Sequence, residues 1–372
     1  MLNSFKYLIK KYKLYIFLAL AINIPIILIC TIRTNYEVIS KGDTVEFTSV
    51  VNIENGYKEE GSFSTIYVMD IEGSTPFMNL IAKYDNEMEI SYIEEYESIL
   101  SDSESYFAGK LMYASSISQA IITAYQLAMN DDSNIKLDYS FDGYYITYKN
   151  KDSKLKIGDN IRSIKRVLRD DADNYLFNPD GSYLYSESYE IGSNEYLECI
   201  KNPRVNDIWY IEESTKINNN YTVSKTNNFK EVTLEKGESF SLYPIYNINL
   251  DNTSPKIIFN TNTIGGPSGG LLQTLSIYNK LTEYDYTNGL KIAGTGTINS
   301  ITHNIGAIGG IKEKIPTAID DNVDIFFCPK ANYSEASIKY ESIKNHERMK
   351  LVEVSTIEDA IKYLKEYKSW NF

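Results

Sequence analysis

Gly265-Gly266-Pro267-Ser268-Gly269-Gly270 joins two unlike stretches of this chain. Upstream, Lys256 to Ile264 (KIIFNTNTI) reads as a strand. Downstream, Leu271 to Leu281 places Leu271, Leu275 and Tyr278 on one face of an amphipathic helix. The Gly/Pro run between them predicts a sharp turn. Ser268 therefore stands where a strand passes into a helix. At such a place a hydroxyl projects clear of the backbone, and amide donors at the helix start can receive a developing negative charge.

A serine hydroxyl is a weak nucleophile until a base takes its proton, and histidine is the usual base. The chain has only two histidines. His303 lies in a polar turn (Asn299 to Asn304) and His346 in a charged, helical-looking stretch (Lys344 to Arg348), neither in a triad context. A lysine can serve instead if burial keeps its amine neutral near pH 7. Ile308-Gly309-Gly310-Ile311-Lys312-Glu313-Lys314 offers two candidates, Lys312 and Lys314. Ile308, Ile311 and Ile315 supply an apolar setting.

Taken in order, GGPSGG, Ala293-Gly294-Thr295-Gly296-Thr297-Ile298, IGGIKEK, and Phe326-Phe327-Cys328-Pro329 with Asn332 resemble the proteolytic domain of Lon-type peptidases over roughly residues 240 to 335. The resemblance implies that Ser268 is the nucleophile and Lys314, rather than Lys312, the base. It also implies that Thr295 supports the dyad by hydrogen bonding and that Gly266, Pro267 and Gly269 shape the turn. That family usually has alanine where this chain has Gly269. Loss of a methyl there would loosen the turn without removing a reacting group.

A formal net charge of -13 argues against nucleic acid as a partner, since phosphates would be repelled. No Walker motif points to a nucleotide, and no CxxC, HExxH or carboxylate cluster points to a metal, so no cofactor is expected. Cys199 and Cys328 are expected to be two buried free thiols.

Leu14 to Ile32 (LYIFLALAINIPIILICTI) carries no charge and is long enough, at about 1.5 Å per residue, to cross a hydrocarbon core of roughly 30 Å. Asn23 and Pro25 are tolerated in such helices. Lys6, Lys10, Lys11 and Lys13 precede the run while Arg33 alone follows closely, which predicts a cytoplasmic N-terminus, residues 1–13, and an outward-facing remainder. The run is longer than a signal-peptide core and lacks a clean small-x-small site, and Ile29 before Cys30 is too bulky for lipoprotein cleavage, so an uncleaved anchor is expected.

Residues 36–130 begin with strand-like runs, Val45 to Val51 and Phe63 to Met69, and end in a helix from about Tyr106 to Met129. Residues 131–235 contain short alternating strands at Gly143 to Tyr148, Leu155 to Ile161 and Ile208 to Ile211. Leu155-Lys156-Ile157-Gly158-Asp159-Asn160-Ile161 resembles a strand of PDZ domains, and span, PDZ-like module and Lon-type domain together resemble bacterial membrane-anchored Lon-like peptidases.

Residues 236–372 fall short of a whole domain of the Lon type. In that family a helix with a Met-x-x-Ser-like start precedes the strands leading to the serine, and Met112-Tyr113-Ala114-Ser115-Ser116-Ile117 resembles it. The expected architecture is thus α+β. A transmembrane helix is followed by a Lon-type domain of the ribosomal protein S5 domain 2-like fold, split between 36–130 and 236–372 with 131–235 inserted at joints near Asn130–Asn134 and Asn218–Asn220. The expected function is ATP-independent cleavage of flexible extracytoplasmic peptides or protein segments by a Ser/Lys dyad. The alternative is a catalytically silent PDZ-type scaffold. Homo-oligomerisation is left open.

Overall fold

The computed structural model describes residues 2–85, 87–93, 100–218, 221, 223–260 and 265–370. From the amino end these form α1 (Leu2–Thr31), β1 (Tyr36–Glu46), β2 (Val51–Ile53), β3 (Ser62–Ile71), α2 (Pro76–Tyr84), β4 (Met88–Tyr92) and α3 (Asp102–Asp131). There follow β5 (Tyr139–Lys149), β6 (Asn160–Lys165), β7 (Tyr189–Glu190), α4 (Asn194–Lys201), β8 (Ile208–Ile217), β9 (Val223–Thr233), β10 (Phe240–Ile248) and β11 (Ile257–Phe259). The last third holds α5 (Gly270–Leu281), β12 (Lys291–Gly294), β13 (Thr297–Ile298), β14 (Ile305–Gly306), α6 (Ile311–Asp320), β15 (Ile325–Pro329), α7 (Lys330–Ser342), β16 (Lys350–Val354) and α8 (Ile357–Trp370).

The chain divides into two compact units, Met1–Lys41 with Val68–Ser98, and Gly42–Tyr67 with Ile99–Phe372. In the first, α1 contains one helix, Lys10–Thr31, long and apolar enough to cross a membrane, with none of its apolar surface buried in protein. Its backbone is kinked at Tyr12. β1 and β4 pair antiparallel, with Val38 opposite Ile90.

The second unit is mixed α/β and has three cores. In the parallel part of its sheet, β12 lies between β3 and β15, and β16 pairs with the far side of β15. Both faces are covered, as a parallel sheet requires. One carries α5 and α8 with the body of α3, where Ile117, Ile121, Leu272, Leu275, Ile292 and Leu364 share a core. The other carries α6 and its neighbours, with Ile66, Ala293, Ile315 and Phe326. An antiparallel sheet in the order β10-β5-β6-β8-β9 surrounds a third core containing Trp209, Ile161 and Ile211.

Helix α3 belongs to two of these cores. Ser101 caps it through a reciprocal capping box with Glu104. Its first turns bury Ala108 and Leu111 against the antiparallel sheet. The rest lies against α5, with Tyr113, Ala120 and Ala124 in the shared core.

Three strand readings change. Val45 to Val51 is not continuous: β1 stops at Glu46 and a single 3-10 turn spans Phe47–Ser49. Phe47 and Val50, three apart, are both buried, which a helical turn allows and strand alternation does not; Ser49 Oγ donates to the Glu46 carbonyl at 2.7 Å. Leu155 to Ile161 is a turn leading into a strand that starts at Asn160. The Asp159 carboxylate accepts the Lys156 N–H at 2.8 Å, and Gly158 has φ +88°. The strand from Lys256 is β11 alone, pairing Ile257 with Ile53, and residues 261–264 lie outside the described residues.

The antiparallel sheet also runs beyond residue 235. Its edge β10 pairs with β5, with Leu242 opposite Ile146. The chain enters and leaves this sheet at one place: the Asn249 N–H donates to the Asp138 carbonyl at 2.9 Å, and Lys136 and Ser254 exchange backbone hydrogen bonds of 2.8 and 2.9 Å. Cys199 and Cys328 are buried free thiols, and burial pushes their pKa values up to about 11 and about 12.

Candidate active site

The Gly-Pro-Ser turn is held by its own backbone. Gly266 has φ +84°, a left-handed conformation that suits glycine, and its N–H donates to the Gly109 carbonyl of α3 at 2.9 Å. The turn lies against the α3 backbone, where a Cβ on Gly265 would sit 3.6 Å from the Gly109 carbonyl carbon. The Pro267 carbonyl accepts Ser116 Oγ at 3.2 Å and the Gly270 N–H at 3.3 Å. The Ser268 carbonyl accepts the Gly296 N–H at 2.7 Å and Thr295 Oγ1 at 3.1 Å. Ser268 is itself half-buried, two residues before α5.

Thr295 is fully buried, and its amide donates to the Phe327 carbonyl of β15 at 3.1 Å. Its hydroxyl bonds the backbone of Ser268, so in this structure it positions the turn. Two amides at the helix start are engaged, Gly270 with Pro267 and Leu271 with the Gly296 carbonyl at 3.0 Å.

Gly310, with φ +65°, lets the chain reverse into α6. The IGGIKEK stretch is thus the start of a helix. Lys314 faces the sheet and is 2% exposed, and its ammonium donates to the Ile66 carbonyl of β3. Ile66, Ile311 and Ile315 share the adjoining core. Burial alone lowers the Lys314 pKa from 10.5 to about 8. Lys312 points elsewhere: it is half-exposed and pairs with Glu335 at 3.1 Å.

The two halves converge on β3. A Cβ on Gly269 would lie 3.2 Å from Thr65 Oγ1, and Lys314 bonds the carbonyl of the next residue, Ile66. Thr65 is the partner of Gly294 in the parallel pair, so the turn, Thr295 and Lys314 gather beyond the carboxyl ends of β12 and at the end of its pairing with β3. That is where open parallel sheets place ligand sites. Gln273, one turn into α5, accepts Ser116 Oγ at 3.2 Å through Oε1. Its Nε2 is buried without a hydrogen-bond partner among the described residues, 3.2 Å from where a Gly269 Cβ would be.

A cleft of 240 Å³ opens beside the turn, walled by Pro267, Thr297 and Ile298 on one side and by Tyr144, Tyr243 and Pro244 of the antiparallel sheet on the other. The histidines are engaged otherwise. His303 Nδ1 lies 2.6 Å from Glu358 Oε1, and His346 Nδ1 lies 2.7 Å from the Ile343 carbonyl.

Residues 260–366 match the profile of the Lon protease (S16) C-terminal proteolytic domain. A Lon protease from Aster yellows witches'-broom phytoplasma (strain AYWB) is 32% identical over 95 residues, which are 26% of this chain and 11% of that protein. The chain therefore covers only a small part of that relative's length. The Lon-type segment contains Ser268, Thr295 and Lys314, whereas α3 and Ile66 lie upstream of it. Ser116 is marked in the sequence only as part of the Met112–Ile117 stretch, and Gly109, Thr65, Ile66 and Gln273 carry no signal there. Ile66 acts through a carbonyl and leaves no trace in residue type.

Proposed function

We propose that this protein is a membrane-anchored serine endopeptidase in which Ser268 attacks the peptide carbonyl and Lys314 takes the hydroxyl proton. The burial of Lys314 carries this reading. An ammonium of ordinary pKa would be charged at neutral pH and could accept nothing. One held down to about 8 is partly neutral there and retains basicity near the working pH. Thr295 fixes the serine backbone, and the amides within the turn, rather than those of Gly270 and Leu271, receive the oxyanion. The reaction then follows the acyl-enzyme sequence: the serine oxygen bonds the carbonyl carbon, Lys314 passes its proton to the leaving amine, and water repeats the exchange to release the acid.

The cleft beside Pro267 receives an apolar or aromatic substrate side chain, since its walls combine three tyrosines, two prolines and Ile298. The antiparallel sheet is an insertion, entered at Asp138 and left at Asn249, and it contributes Tyr243 and Pro244 to substrate choice. The chain lacks a Walker motif and acts without ATP on flexible extracytoplasmic segments presented near the membrane. The test is hydrolysis of a fluorogenic peptide by the full chain in detergent. Ser268→Ala and Lys314→Ala should each lose at least about 1,000-fold in kcat, and the double variant little more. Near wild-type turnover in Lys314→Ala would remove the assignment.

A further inference from the structure

Helix α2 of the first unit presents the wrong face to water. Thr75 caps it by accepting the Met78 N–H, and Pro76 opens it. Its inner side holds Ala82, which is buried, with Met78 and Asn79 half-buried. Its outer side is apolar: Phe77, Leu80, Ile81 and Tyr84 are 47%, 55%, 43% and 79% exposed. They recur at i, i+3, i+4 and i+7 and form one stripe. A surface helix of a water-soluble unit arranges its faces the other way round.

The start of α2 is fixed to the end of the apolar helix. The Thr34 N–H donates to the Ser74 carbonyl at 3.1 Å, Asn79 Nδ2 to Thr34 Oγ1 at 3.0 Å, and the Ser74 N–H to the Tyr36 carbonyl at 2.8 Å. The membrane-length helix ends at Thr31. These bonds hold α2 within a few residues of the point at which α1 would leave a bilayer.

We propose that α2 lies in the membrane interface where α1 emerges, with Phe77, Leu80, Ile81 and Tyr84 in the boundary between headgroups and acyl chains. This rests on the reading of α1 as a span. A helix of this length, about 13 Å, cannot cross a bilayer but can lie along its surface. Tyrosine is at home at that depth, with its ring among the chains and its hydroxyl wet, and the exposed pair Tyr36 and Tyr92, packed edge to face at 5.4 Å, adds to the same unit's interfacial character. The attraction is apolar rather than electrostatic: Lys83 is the one cation within α2, and Asp85 and Glu87 follow it. The occupant is therefore neutral lipid, and anionic lipid should add little. The consequence is a second attachment that restricts how the first unit tilts on its anchor.

The test uses the full chain in nanodiscs of neutral phosphatidylcholine. Leu80→Cys in a Cys30→Ala background carries an environment-sensitive fluorophore, Cys199 and Cys328 being buried; a second preparation carries the same dye on native Cys30. The Leu80 dye should shift to the blue and lose roughly half its intensity to lipid nitroxides placed near the headgroup, and less to nitroxides near the chain end, as for a group buried about 5–10 Å deep. The Cys30 dye, one residue before the end of the span, should also be quenched, chiefly by the nitroxides near the headgroup. Quenching at Cys30 with a water-like, unquenched dye at Leu80 would overturn the interfacial helix and leave the span standing. No quenching at either site would overturn both. A shielded but unquenched Leu80 dye, with Leu80→Cys cross-linking between copies, would assign the face to a second copy and overturn the lipid proposal.

Discussion

Replacing Lys314 by methionine should abolish hydrolysis and, at neutral pH, make the protein more stable. Methionine roughly fills the space of the lysine stem without its charge. Burial lowers the Lys314 pKa from 10.5 to about 8. At about 1.4 kcal/mol per pKa unit, the folded state bears a penalty on the order of 3 kcal/mol for holding the ammonium. The substitution also strips the Ile66 carbonyl of its donor, at a cost of about 1–2 kcal/mol. The net gain near pH 7 is about 1–2 kcal/mol. Its pH dependence is more diagnostic than its size. The folded pKa lies below the unfolded one, so below about pH 8 both states hold the proton and the penalty is present in full. Between about 8 and 10.5 the folded state releases its proton first and wild-type stability climbs; above 10.5 the penalty is gone. The variant has no such titration, whereas the other lysines and tyrosines titrate alike in both proteins. Its advantage over wild type should therefore fall by about 3 kcal/mol between neutral pH and about pH 11. Urea unfolding of the full chain in detergent, followed by far-ultraviolet circular dichroism at steps of pH, measures this. A stability difference that stays flat over that range would refute a buried, depressed lysine.

Peptidase activity should rise with pH through an apparent pKa of about 8, because the neutral amine is the active form, and a variant lacking both His303 and His346 should keep that limb; its disappearance would transfer the base to a histidine. Thr295→Val removes one of two bonds to the Ser268 carbonyl and should cost about 1 kcal/mol of stability with a fall in kcat of about tenfold, read by denaturation and steady-state kinetics; unchanged kcat would show that the Gly296 amide suffices. Gly269→Ala must move Gln273 Nε2 or Thr65 Oγ1, each 3.2 Å from the new methyl, and should destabilise by about 1 kcal/mol; a gain in thermal stability would mean that the methyl is accommodated freely. Replacing residues 139–248 by a short Gly/Ser linker should leave a cooperatively folding catalytic part, since its ends already meet at Asp138 and Asn249, and loss of the thermal transition would show that the two parts fold only together.

The turn was legible because it depends on residue type. Glycines that permit φ +84° and +65°, a proline, a serine and a lysine at the head of an apolar helix each leave a mark in the sequence. The long helix α3 is visible in its periodicity, but that it packs on α5 is a finding of the structure. What was not legible is carried by the backbone and by distant pairing. The Ile66 carbonyl that holds Lys314 and the Gly109 carbonyl that holds the turn could belong to any residue. Nothing local reveals that the partner of β10 is β5, almost a hundred residues away. No strand runs through Phe47, because two buried residues three apart, Phe47 and Val50, satisfy a helical turn instead. Joints near Asn130 and Asn218 looked reasonable from polarity, yet Asn219 and Asn220 lie outside the described residues, and the chain closes at 138 and 249.

The most direct test of the account is the rate at which a small serine-directed acylating probe modifies the full chain as a function of pH, with the modified residue located by mass spectrometry. The account predicts a single adduct on Ser268, forming faster as pH rises through about 8 and slowed by at least about 1,000-fold in Lys314→Met. An adduct on another residue, or a Ser268 adduct whose rate is indifferent to Lys314, would contradict it.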